Sequence, residues 1–194
     1  MIARVALAIC LSLGLGPGLG QIAFSQDLTP RLAACGACHG ADGNAGLRNT
    51  PSLAGQPVVF LENQMVLIRE GMRDIPAMKG VLEGVSDAEI GALARHYAKQ
   101  PVKRTAEPRN EARYAQGERL AQQTRCGTCH LPNYVGREQM PRLAGQREDY
   151  LLHSMREFAG NRAVGRDTLM AASLHGLSDA DLVAIAHFLA WVTP

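Results

Sequence analysis

Cys35-Gly36-Ala37-Cys38-His39 and Cys126-Gly127-Thr128-Cys129-His130 are the segments of this chain whose residue types and spacing promise chemistry. In each, two thiols stand one helical turn apart and an imidazole follows directly. This is the attachment pattern of c-type haem: each thiol adds to a vinyl group, and the adjacent histidine lies under the porphyrin, placed to bind iron. Competing readings explain less. A thioredoxin-like redox pair wants a βαβ setting, which the sequence lacks. A four-cysteine zinc site normally brings its second pair much sooner along the chain. Two disulfides would leave the histidine after each pair without a reason. The expectation is two covalently bound haem c groups on Cys35, Cys38, Cys126 and Cys129, with His39 and His130 as axial iron ligands.

A second axial ligand has to come from elsewhere, and a thioether there would favour ferrous iron and raise the reduction potential. Met78 and Met170 each lie eight residues before a serine that opens a helix, Ser86 and Ser178. They are the expected axial methionines. Met65 and Met155 also correspond to each other, but they fall on apolar helical stripes, where methionine is usually core filler. Met72 has no counterpart. His96, His153, His175 and His187 have none either, and read as surface or interface residues.

The elements that must position these groups are repeated. Besides the cysteine motifs, Pro51-Ser52-Leu53-Ala54-Gly55-Gln56 recurs as Pro141-Arg142-Leu143-Ala144-Gly145-Gln146, and Gly84 to Ile90 recurs as Gly176 to Leu182. The order is kept at an offset of about 90 residues, which marks a tandem duplication. Residues 57–70 carry Phe60, Leu61, Met65 and Ile68 on one stripe, with Pro57 suited to the first turn. Tyr150, Leu151, Met155 and Phe158 form the matching stripe. Ser86 with Glu89 predicts a capping box opening a helix through Ile90, Leu93 and Tyr97. Ser178 with Asp181 predicts a weaker one. Gly117 to Gln123 reads as a short helix leading into the second cysteine pair. No run alternates as a strand would, so the fold class is all-α. Two domains are expected, 26–100 and 113–194, joined by a linker at 101–112 that holds Pro101 and Pro108. Domains of this size build a marginal core unaided, and a buried porphyrin supplies apolar surface they lack.

Residues 1–25 differ in kind. Arg4, the apolar run Val5 to Leu15, and Ala23-Phe24-Ser25 have the layout of a secretory signal cleaved after Ser25. The apolar stretch is shorter than the roughly 20 residues that span a bilayer. Removal would take Cys10 with it and place a soluble protein, at most loosely attached to a membrane, in the periplasm. The formal charge of +2 gives no broad basic field, which speaks against nucleic acid as a partner.

Taken together, both Cys-x-x-Cys-His motifs, both Pro-x-Leu-Ala-Gly-Gln blocks and both methionine-to-Ser-Asp segments resemble the dihaem cytochrome c4 family, from about Leu28 to Trp191. That resemblance implies tandem class I cytochrome c domains, each a few short helices around one haem, packed face to face. It implies that Pro51 and Pro141 offer carbonyls to the ring N–H of His39 and His130, and that Gln56 and Gln146 approach haem propionates. The second half departs from the family: Leu131-Pro132-Asn133-Tyr134 replaces the Gly-rich loop that His39-Gly40-Ala41-Asp42-Gly43 matches.

The function so implied is electron carriage, not catalysis, with redox proteins as partners: a membrane cytochrome bc complex as donor and a terminal haem–copper oxidase as acceptor. The alternative is the electron-accepting subunit of a periplasmic dehydrogenase such as flavocytochrome c sulfide dehydrogenase. A dihaem enzyme, a peroxidase or a thiosulfate dehydrogenase, would need an open or unusual iron position, against which two matched methionines argue.

Overall fold

A computed structural model describes residues 27–104 and 108–194. The expected signal segment lies outside the described residues. The described chain is helical, and its single extended feature is an isolated bridge between Arg137 and Met140.

In the first half, α1 (Thr29–His39) runs without a break through the cysteine motif. It is followed by α2 (Val58–Arg69), capped by Pro57, a short 3-10 turn at Pro76–Met78, and α3 (Asp87–Ala98). The Ser86–Glu89 capping box is present: the serine hydroxyl accepts from Glu89 N–H, and the Glu89 carboxylate accepts from Ser86 N–H at 2.9 Å. The α2 stripe packs on α3, with Leu61, Ala94 and Tyr97 buried together and Leu82, Val85, Ile90 and Leu93 beside them. Leu32 of α1 and Met65 of α2 touch both groups and join them into one core.

The second half holds α4 (Glu111–Gln123), α5 (Cys126–His130), α6 (Glu148–Ala159), α7 (Thr168–Ser173) and α8 (Asp179–Trp191). The helix expected at Gly117 to Gln123 begins at Glu111, a turn and a half earlier than its sequence suggests. Its buried face is sparse, Gly117 and Ala121 with Tyr114 at the edge, and the surrounding charges hide the period. Asn110 caps it by accepting from Arg113 N–H at 3.0 Å. A left-handed Arg125 then separates α4 from the cysteine motif, where α1 runs straight through. The Ser178–Asp181 box forms as fully as its partner, with Ser178 N–H donating to the aspartate at 3.0 Å.

The two halves meet around their Leu-Ala-Gly-Gln blocks. Gly55 and Gly145 both have φ +63°, and Val102 of the connecting segment lies against both. A Cβ at Gly55 would stand 2.6 Å from one Val102 methyl, and one at Gly145 would stand 3.3 Å from the other. Glycine is required there by backbone angle and by space alike. Asn44 fastens the same segment, donating to Pro101 O at 3.0 Å and accepting from Lys103 N–H at 2.8 Å.

Candidate haem sites

The duplicated cysteine motifs present themselves alike. Cys35 and Cys126 are half-buried and Cys38 and Cys129 exposed, and none is paired in a disulfide. Burial pushes the Cys35 and Cys126 thiols above their usual range. His39 and His130 are buried at the ends of α1 and α5. Each Nδ1 lies 2.9 Å from a proline carbonyl, Pro51 and Pro141 respectively. A carbonyl only accepts, so Nδ1 carries the hydrogen and Nε2 keeps its lone pair. Burial, partly opposed by that hydrogen bond, lowers both imidazoles below the ordinary histidine range. Both are therefore held neutral and turned, which is what a metal-binding histidine needs.

Met78, in the 3-10 turn, packs against the Leu82–Val85–Ile90–Leu93 group. Cys35 borders the neighbouring group, which shares Leu32 and Met65 with the first. Met170, in α7, and Cys126 border one and the same core cluster. Met155 is buried within that cluster, as a core methionine would be, and Met72 is exposed.

One expectation about the histidines needs correction. His187 is not a surface or interface residue. It is 1% exposed, its Nε2 accepts from Asn110 N–H at 3.0 Å, and its Nδ1 lies 2.9 Å from Glu148. It ties the start of α4 to α6 through α8. The amides of Gln56 and Gln146 bond the main chain of the opposite half, at Arg142 and Ser52, which the sequence did not announce. The departure at Tyr134 is a substitution of means. Gly43 O accepts from the N–H groups of Leu53 and Ala54; Tyr134 O does so from Leu143 and Ala144. Tyr134 holds φ +58°, near the φ +76° of Gly43. The tyrosine ring of the first half comes instead from Tyr97 on α3, lying over Gly43, while Leu189 stands at the matching place on α8. Each half thus buries one tyrosine beside its first cysteine, supplied from a different element.

Arg142 was not singled out by the sequence, although a charged residue inside a repeated apolar block was a signal. It is 1% exposed. Its guanidinium donates to Ala144 O and, at 2.9 Å, to Ala54 O across the halves, while Nε has no partner. Burial draws it down to about 10. No acidic partner stands beside it among the described residues, and the carbonyls of Ala54 and Ala144 take its donors instead. Thiols one turn apart and neutral imidazoles whose Nε2 keeps its lone pair make the residues present fit haem.

These features define a c-type cytochrome built twice in one chain. Residues 114–193 match the family model described as cytochrome c, and residues 32–96 match that described as cytochrome C oxidase, cbb3-type, subunit III. Cytochrome c4 of Pseudomonas aeruginosa is 34% identical over 95% of this chain and 96% of its own length. A protein of Thiomonas intermedia named thiosulfate dehydrogenase electron acceptor is 34% identical over 83% of this chain and 79% of its own. The crystal structure of reduced recombinant cytochrome c4 from Pseudomonas stutzeri superposes with a TM-score of 0.76 at 31% identity, covering 84% of this chain and 96% of that one. The chain belongs to the cytochrome c4 family, and its cofactors are two haem c groups.

Proposed function

We propose that this protein is an exported, periplasmic electron carrier that takes and gives single electrons at two iron sites, one in each of the domains 26–100 and 113–194. The observation that carries this reading is the sameness of the two sites: His39 with Pro51 and His130 with Pro141, each at 2.9 Å, each with a methionine ahead of the last helix of its half. Bound haem supplies the one-electron ferric–ferrous couple. The chain supplies the rest. Cys35, Cys38, Cys126 and Cys129 would hold the porphyrins covalently. His39 and His130 would offer Nε2 to iron, with each ring oriented by its proline carbonyl. Met78 and Met170 would supply the second iron ligands as thioethers, which favour the ferrous state.

A membrane cytochrome bc complex as donor and a terminal haem–copper oxidase as acceptor fit a carrier of this kind. The relative named for accepting electrons from thiosulfate dehydrogenase supports a second donor class, a sulfur-oxidising dehydrogenase.

The test is ligand by ligand. Met78→Ala is expected to remove the weak far-red sulfur-to-iron absorbance of one haem, and Met170→Ala that of the other. Retention of the full band in either variant would overturn the assignment of that methionine. Rapid carbon monoxide binding to the untreated ferrous protein would reveal an open site and favour an enzyme. Copurification with a flavoprotein would favour a dehydrogenase subunit over a free carrier.

A further inference from the structure

Gln56 and Gln146 each grip both main-chain groups of one residue in the opposite half. Ser52 N–H donates to Gln146 Oε1 at 2.8 Å, and Gln146 Nε2 donates back to Ser52 O at 2.9 Å. Arg142 N–H donates to Gln56 Oε1 at 2.9 Å, and Gln56 Nε2 donates back to Arg142 O at 3.0 Å. Both glutamines are buried.

The Ser52 N–H belongs to the peptide unit whose carbonyl is Pro51 O, the acceptor of His39 Nδ1–H. Arg142 N–H and Pro141 O share a unit in the same way, and Pro141 O takes the hydrogen of His130. A peptide is a conjugated group with partial double-bond character. An acceptor pulling on its N–H moves electron density toward its oxygen and makes that oxygen a better acceptor. Bonds joined in this way polarise one another by about 10–30% each. A stronger pull on Nδ1–H makes Nε2 more basic and stabilises ferric iron.

We infer that Gln146 and Gln56 are positioning residues for electron transfer that work across the halves: Gln146 tunes the His39 site and Gln56 tunes the His130 site. This rests on the reading of both histidines as iron ligands. The two relays are unequal. Gln146 Oε1 also accepts from Arg147 N–H at 2.9 Å, which dilutes its pull on Ser52. The His130 site should therefore respond more to loss of its glutamine than the His39 site does.

Glutamines that served only to dock the halves would behave differently. Their loss would admit water to both sites and shift both irons together toward the ferric state. Loss of a relay shifts one iron, in the half that does not contain the substitution, toward the ferrous state.

The experiment uses the full-length, haem-loaded protein carrying Gln146→Met or Gln56→Met. Gln146→Asn and Gln56→Asn serve as variants that keep a polar amide but fall one methylene short. Isotope-labelled histidine lets the ring N–H signals of His39 and His130 be followed by NMR during stepwise reduction, so that each iron reports its own midpoint. Gln146→Met is expected to move the His39 N–H signal and change the ferric-to-ferrous ratio of that site about twofold at fixed potential, about 18 mV at 59 mV per tenfold, with His130 unmoved. Gln56→Met should do the converse, and more strongly. The asparagine variants should shift in the same sense. Equal shifts at both sites, a shift confined to the substituted half, or no shift would overturn the relay while leaving the histidines as ligands. Ring N–H signals without paramagnetic shift in the unsubstituted ferric protein would remove the ligand reading and the relay with it.

Discussion

Gly117 marks a close approach of α4 to α8, and Gly117→Ala tests how tightly the second half is closed. A Cβ there would lie 2.6 Å from the Ala184 carbonyl carbon and 2.7 Å from Phe188 Cβ, with the Ala184 oxygen closer still. Ordinary contact begins near 3.4 Å. None of these atoms is the free end of a flexible side chain, so the helices themselves must part. Overpacking costs about 1–3 kcal/mol, and a clash with main chain in mid-helix belongs at about 3. Alanine returns about 1 kcal/mol through helix propensity. The net cost is about 2 kcal/mol. For a unit of 60–100 residues that lowers Tm by roughly 8–16 °C. Thermal and guanidinium unfolding of the haem-loaded protein, followed by far-ultraviolet circular dichroism and the Soret band, measures it. Gly46→Ala is the control, since a Cβ there meets nothing within 4 Å and no positive φ is involved. An unchanged or higher Tm for Gly117→Ala would refute the close approach of the helices.

Other outcomes are expected alongside this one. Arg142→Ala removes the donors to Ala54 O and Ala144 O and should cost about 2–4 kcal/mol in guanidinium unfolding, from buried carbonyls left unpaired; a loss under about 0.5 kcal/mol, the usual surface effect, would show that water replaces it freely. Asp42 is drawn down to about 2, chiefly by its hydrogen bond from Lys103. A carboxylate depressed on folding stabilises above its unfolded value of 3.8 and loses that contribution as pH falls toward 2. Lys103→Met should therefore flatten the acid limb of the stability profile between those values and bring the Asp42 titration, read by NMR, back toward 3.8; an unmoved Asp42 would mean that Asn44 N–H alone holds it.

What the sequence revealed and what it hid divide along physical lines. The cysteine motifs, the capping boxes and the duplication rest on local chemistry and fixed spacing, so they are legible without a fold. The bonds from the histidines to Pro51 and Pro141 were expected from family resemblance, and both are present at 2.9 Å. Partners across the halves were not legible. Gln56 and Arg142 are 86 residues apart, as are the ends of their bonds, and no local pattern announces such a pairing. The full length of α4 was hidden because the residues it buries fully are a glycine and an alanine, which carry little hydrophobic signal. Tyr134 looked like a lost loop, since a tyrosine at a glycine's positive φ is visible only once the backbone is.

The halves grip each other through main-chain atoms, and that shapes how freely the two copies drift apart. Ser52 and Arg142 occupy equivalent places, yet one is a small hydroxyl and the other a buried cation, while the amide opposite each finds the same N–H and the same carbonyl. These amide grips take no part of the side chain at the gripped position. The two amide grips would therefore survive a change of side chain at 52 or 142, even where that change removes a further bond such as the one from Arg142 to Ala54 O, and this lets each copy acquire its own electrostatic surroundings as the copies become unlike.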